Sequence, residues 1–132
     1  MCGKNNLVAV LIALAVQGVV VVMAISGEYR VVEKFVSEIY AKAEQNNYAD
    51  ADFSDDATKI FALGDSLIRY DESLRNSGFS REDDEGGGKA VAIYSKVSMT
   101  RQGLQSEVRL IFRLDTIGKI VLVEAKYFVH TL

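Results

Sequence analysis

His130 is the single histidine and Cys2 the single cysteine among 132 residues, so the chain can build neither a His/Cys metal site nor an intrachain disulfide. His130 falls two residues from the end, on the strand face of Leu122, Glu124, Lys126 and Phe128, and reads as a solvent-side residue. Cys2 precedes the long apolar run, whereas a lipidated bacterial cysteine follows one, and reads as a plain thiol. No Ser-His-Asp order or paired-carboxylate motif occurs. Gly86-Gly87-Gly88 is followed by Lys89 but lacks the Walker spacing and leads into a strand. Glu82, Asp83, Asp84 and Glu85 lack the alternating ligands and turn glycine of a calcium loop, so they read as a solvated charge run. No metal or cofactor is expected.

Catalysis on an interior ligand would need an acid or base with a pKa displaced by apolar walls, and Tyr40 and Asp65 are the residues to inspect for that role. Tyr94, Arg109 and Arg113 are the candidates for contact with a ligand or partner. They are expected on the exposed side of a sheet, among Lys96, Arg101, Glu107, Glu124 and Lys126, a mixed-sign surface suited to another protein. A net charge of -3 and no basic patch argue against nucleic acid.

The elements that would position these residues follow from the period of the apolar residues. Val32, Phe35, Val36, Ile39, Tyr40 and Ala43 recur at helical spacing and predict an amphipathic helix from about Glu28 to Gln45, stopped by Asn46-Asn47. Ser54 or Asp55 can cap a short helix from Ser54 to Leu63, ended by Gly64, with a strand expected from Ser66 to Tyr70 and a helix through to Leu74 as the competing reading. Asn76 to Gly88 has the composition of a flexible loop. The period then changes to two. Val91, Ile93, Val97 and Met99, then Leu104, Val108, Leu110, Phe112 and Leu114, then Val121, Val123, Ala125, Tyr127 and Val129 predict three long strands with one apolar side. Short connections at Gln102-Gly103 and Asp115 to Lys119 make the sheet an antiparallel meander backed by two helices.

Ahead of this domain, Leu7 to Ile25 reads LVAVLIALAVQGVVVVMAI, roughly 19 residues without a charge. That length just covers a hydrocarbon core of about 30 Å, and it exceeds the apolar region of most cleaved signal peptides. Residues 1–27 are therefore expected to anchor the chain in lipid through residues 7–25, with 28–132 as one domain. Lys4 and the free amine before the run favour a cytoplasmic N-terminus and an extracytoplasmic domain. The alternative is a secreted or periplasmic form cleaved near Ser26, where Ala24-Ile25-Ser26 supplies small residues.

Val31-Val32-Glu33-Lys34-Phe35, Asn47-Tyr48-Ala49-Asp50-Ala51, Phe53-Ser54-Asp55-Asp56, Leu63-Gly64 and the terminal strand from Lys119 to Phe128 give the chain a further character. In their order, the segment from 28 to 131 resembles the NTF2-like, cystatin-related cone fold, and in particular its small secreted or membrane-anchored bacterial members. The likeness implies an α+β domain with amphipathic helices packed on a curved antiparallel sheet. Many relatives carry Gly-Lys-Trp in the last strand, where this chain has Gly118-Lys119-Ile120. Two functions are compatible with it. The first is a membrane-anchored binding or scaffold domain that meets a protein partner, or a second copy of itself, through the sheet. The second is a small-molecule carrier or isomerase-like enzyme that uses the interior of the cone.

Overall fold

Residues 28–84 and 90–130 are described by the computed structural model. The first helix, α1, occupies 28–45 and is followed by β1 (Ala51–Asp52), α2 (Ser54–Ile60), α3 (Ile68–Asn76), β2 (Ser80–Asp84), β3 (Ala90–Met99), β4 (Gln105–Leu114) and β5 (Ile120–His130). The five strands form one antiparallel sheet in the order β1-β5-β4-β3-β2. β2 to β5 are thus a continuous meander, and β1 lies on the far edge beside β5. The α+β class and the helix-backed antiparallel sheet expected from the sequence are present.

α1 forms because its apolar residues share one side of the 3.6-residue turn. Val32, Phe35, Val36, Ile39 and Ala43 are all buried, while Lys34, Glu38, Lys42 and Glu44 are exposed. Asn47 and Tyr48 then take left-handed backbone angles, with φ of 54° and 59°, and end it. Asn tolerates that conformation; for Tyr48 it is strained and must be held by its surroundings. The backbone N–H of Tyr48 donates to Ala43 O at 2.7 Å, and its ring is half-buried against the core.

The core lies between the helices and one face of the sheet. Val108, Leu110 and Phe112 from β4 and Val123, Ala125 and Tyr127 from β5 point inward with almost no exposure. Aromatic edges hold the layers together: the Phe61 ring is T-shaped against Phe35 at 6.1 Å, Tyr70 at 5.2 Å and Phe112 at 5.1 Å, and Tyr94 stands edge-on to Phe112 at 5.6 Å. One ring thereby joins α1, α3 and β4.

Four expectations are corrected. The strand expected over Ser66 to Tyr70 is a single bridge, Ser66 with Lys119, and the chain then enters α3. Tyr70 and Leu74, four apart, bury on one side of that helix, and Asp71 pairs with Arg75 at 3.1 Å on another. The Ser54 and Asp55 side chains do not cap α2; instead the Asp52 carboxylate accepts the Ser54 N–H at 2.8 Å. The loop expected over Asn76 to Gly88 contains β2, which adds to the sheet edge against β3; residues 85–88 of that expectation lie outside the described residues.

The fourth correction is the side of β3 that faces the core. Ala92 pairs with Phe112 and Tyr94 with Leu110, and directly opposed residues of an antiparallel pair share a face. Since Phe112 and Leu110 are buried, Ala92 and Tyr94 point inward, and Val91, Ile93 and Val97 point away from the helices. Tyr94, expected on the exposed face, is 0% exposed.

No helix of the described residues is long and apolar enough to cross a membrane. The run over 7–25 lies outside them.

Replacing Phe112 by Ala removes the ring that β4 contributes to the aromatic cluster, and partial collapse of the site leaves a cavity. The domain should lose about 3–5 kcal/mol, read as a lowered urea midpoint by circular dichroism; Arg113→Ala, next to it but exposed, should leave the midpoint nearly unchanged.

Candidate functional site

The outer face of the sheet carries no helix among the described residues, and alternation decides what it shows. Its β3 row is Val91, Ile93, Ser95 and Val97; its β4 row is Glu107, Arg109, Ile111 and Arg113; its β5 row is Leu122, Glu124, Lys126 and Phe128. Ile93 lies opposite Ile111, and Glu107 opposite Phe128. The apolar row that alternation had assigned to the core is thus spread over the open side, where Val97 and Leu122 are 52% and 40% exposed. The candidates Arg109 and Arg113 are both on this face. Arg109 extends over the Phe128 ring at 5.3 Å and donates from Nε to Glu107 at 2.7 Å. Glu107 is itself 7% exposed, and His130 Nε2 lies 3.4 Å from its other oxygen. A carboxylate so nearly buried on an open sheet face is held by the charged bond from Arg109.

Tyr94 takes part in a different construction, on the inner side near the β2 edge. Its hydroxyl donates to Asp71 Oδ1, and Arg81 Nη1 reaches both Asp71 Oδ1 at 3.1 Å and the Tyr94 oxygen at 3.2 Å. Arg81 Nε also binds Asp83 at 2.7 Å, and Arg75 Nε binds the second Asp71 oxygen at 3.1 Å. Burial pushes the Tyr94 phenol well above its ordinary range, and the bond to Asp71 pushes it further. Burial would also raise the Asp71 carboxyl, but the bonds from Tyr94, Arg81 and Arg75 outweigh it and hold the group below the usual carboxylate value. Arg81 stays charged, raised first by its bond to Asp83. The result is a satisfied polar clamp between α3, β2 and β3, whose phenol holds its proton and is a weak acid. Asp71 and Arg81 were not singled out from the sequence. The available signals were the four-residue spacing of Asp71 and Arg75, and the alternation of Arg81 and Asp83 within an acidic stretch.

Tyr40 lines a cleft of about 250 Å³ with Tyr48, Ser98, Ser106 and Tyr127, at the end of the sheet where α1 stops. Its hydroxyl is 2.7 Å from Ser98 Oγ, its ring stands edge-on to Tyr127, and burial raises its pKa. Asp65 lies at the opposite end. It accepts from Tyr70 OH at 2.7 Å and Arg69 Nη1 at 3.1 Å, and its backbone pairs with Ile120. The two residues proposed for acid or base work are therefore not brought together. Among the described residues no group of three or more His, Cys, Asp or Glu side chains could hold a metal ion.

No family model, no curated protein and no solved structure matches this chain.

The depressed Asp71 carboxyl ties stability to pH. Because its native pKa lies below the unfolded value near about 3.9, the ionised form stabilises the fold above that pH, and the contribution is lost as pH falls through the native value. Asp71→Asn should flatten this acid limb of the stability profile. Tyr94→Phe, which leaves Asp71 one donor short, should cost about 1.5–3 kcal/mol at neutral pH, measured by denaturant unfolding.

Proposed function

We propose that this protein is a membrane-anchored, extracytoplasmic binding domain of NTF2-like type, held by residues 7–25 and pairing with a second copy of itself through the outer face of its sheet. The carrying observation is the apolar set Val91, Ile93, Val97, Ile111 and Leu122 on a face that no element among the described residues covers. Val97 and Leu122 are exposed and Val91, Ile93 and Ile111 half-buried, so the face offers apolar surface interspersed with charge, which suits a protein contact.

The charges on this face are of both signs: Glu82 of β2 lies opposite Ile93, and on β4 and β5 Arg109, Arg113 and Lys126 share the face with Glu107 and Glu124. A two-fold axis running along the strands, in the plane between two facing sheets, would set the Glu82 edge of each copy over the mixed-sign β4 and β5 side of the other. The carrier or isomerase reading has less to stand on, because Phe35, Phe61, Tyr94 and Phe112 occupy the space between helices and sheet where a ligand would sit.

Light scattering of the full chain in mild detergent should give twice the chain mass of 14.5 kDa, and the double substitution Ile93→Asp with Ile111→Asp should halve it without loss of strand signal. A wild-type chain that stays monomeric at every concentration would sink the pairing. A C-terminal tag that protease cannot reach once any outer envelope has been removed, with the inner membrane still sealed, would sink the topology.

A further inference from the structure

Three chain segments converge on the end of the domain from which residue 28 emerges. Glu28 accepts from Arg69 Nε at 2.6 Å, which pins the described start of α1 to the first turn of α3. The segment before α3 is in turn bonded to the turn between β4 and β5: Gly64 N–H donates to Ile120 O at 2.8 Å, Ile120 N–H to Asp65 O at 2.8 Å, and Leu67 N–H to Gly118 O at 3.2 Å. At this pole large apolar side chains point away from the core. Ile68 is 81% exposed, Ile117 71% and Leu63 52%, and Tyr29 and Val31 on α1 are also exposed. The turn over Asp115 to Lys119 does not require Ile117 for its geometry, since Gly118 supplies the positive φ and Asp115 accepts the backbone N–H groups of Ile117 and Lys119. Isolated exposed apolar residues are ordinary, but a group drawn from three segments at one pole marks a contact.

Covalent geometry limits what that contact is. The uncharged run ends at Ile25, and only Ser26 and Gly27 separate it from Glu28. Three residue steps span at most about 11 Å even when fully extended. A spanning segment over 7–25 would therefore hold this pole within or against the headgroup layer, which is about 5–8 Å deep on each side. The nearby charges are of both signs, Arg30, Arg69 and Lys119 against Glu28, Asp65 and Asp115, so the surface is not built to select anionic lipid.

Resting on the anchored reading above, we propose that this pole is a lipid-docking surface: Leu63, Ile68 and Ile117 insert into the interfacial layer of the bilayer that holds residues 7–25, so the domain is seated on the membrane and not swung from a tether. Seating needs apolar insertion and no anionic headgroup.

The test uses the full chain with Cys2→Ser, carrying in turn Ile68→Cys, Ile117→Cys or, at the opposite pole, Arg101→Cys, each labelled with a polarity-sensitive fluorophore. The chains are reconstituted in phosphatidylcholine vesicles containing brominated acyl chains. Labels at 68 and 117 should be quenched at least about twofold more than the label at 101, and equally so when anionic lipid is added. A chain that floats with the vesicles but shows equal quenching at all three positions overturns the docking and leaves the anchor intact; a chain that does not float overturns the anchor and the docking with it. A second variant, Ile68→Asp with Ile117→Asp, should still float, yet a label introduced by Leu63→Cys should lose its excess quenching. Unchanged quenching there overturns the role given to the two isoleucines.

Discussion

Phe61 follows directly on α2, and its ring meets Phe35 from α1, Tyr70 from α3 and Phe112 from β4, each edge-on. Such contacts are directional, because the electron-rich face of one ring takes the electron-poor edge of the next, and each adds about 0.5–1.5 kcal/mol beyond the area it buries. With three of them converging on one side chain, the positions of the helices over the sheet are not independent. α1 cannot shift along the sheet without breaking the packing that also fixes α3, and α3 in turn carries Asp71 to Tyr94. The polar clamp at one side of the molecule thus depends on the aromatic cluster at its centre.

Filling the interior in this way changes where recognition can take place. Among the described residues, rings from both layers fill the space between helices and sheet, and the cleft beside Tyr40 lies at the margin where α1 ends. What remains open is surface: the outer sheet, with apolar residues between charges of opposite sign, and the pole beside residue 28. These two regions face different directions. A domain using both could meet its twin with one and lipid with the other.

Period-two and period-3.6 patterns were legible where an element has one wet and one dry side. α1 is the clearest case, with Val32, Phe35, Val36, Ile39 and Ala43 buried as their spacing requires; β4 behaves likewise, and β5 does so from Val123 on, while Val121, expected on the core side, is 56% exposed and Ile120 is buried in its place where the register with β4 shifts. β3 did not, because both of its sides carry apolar residues, and alternation cannot tell the core side from an open apolar side. Only the pairing of Tyr94 with Leu110 decides it. Ser66 to Tyr70 and β2 were missed for a related reason. The stretch from Ser80 to Asp84 is so polar that local composition reads as loop, and its strand exists because β3 offers it a backbone partner. The candidate site was legible to the same degree: Arg109 and Arg113 fell where expected, Tyr94 moved to the interior, and Asp71 and Arg81 become visible only when α3 and β2 are placed side by side.

The two margins of the sheet bear on how copies of this protein could accumulate. β1, at one margin, is two residues long, and β2, at the other, reads SREDD. Neither strand is itself a long, uncharged ladder of free amides and carbonyls onto which a foreign strand could zip, although β1 covers only Lys126 and Tyr127 of the longer β5. Crowding on a surface would bring many copies together in two dimensions, a setting that favours runaway stacking. One margin is thus stunted and the other charged, and both features weigh against growth strand by strand.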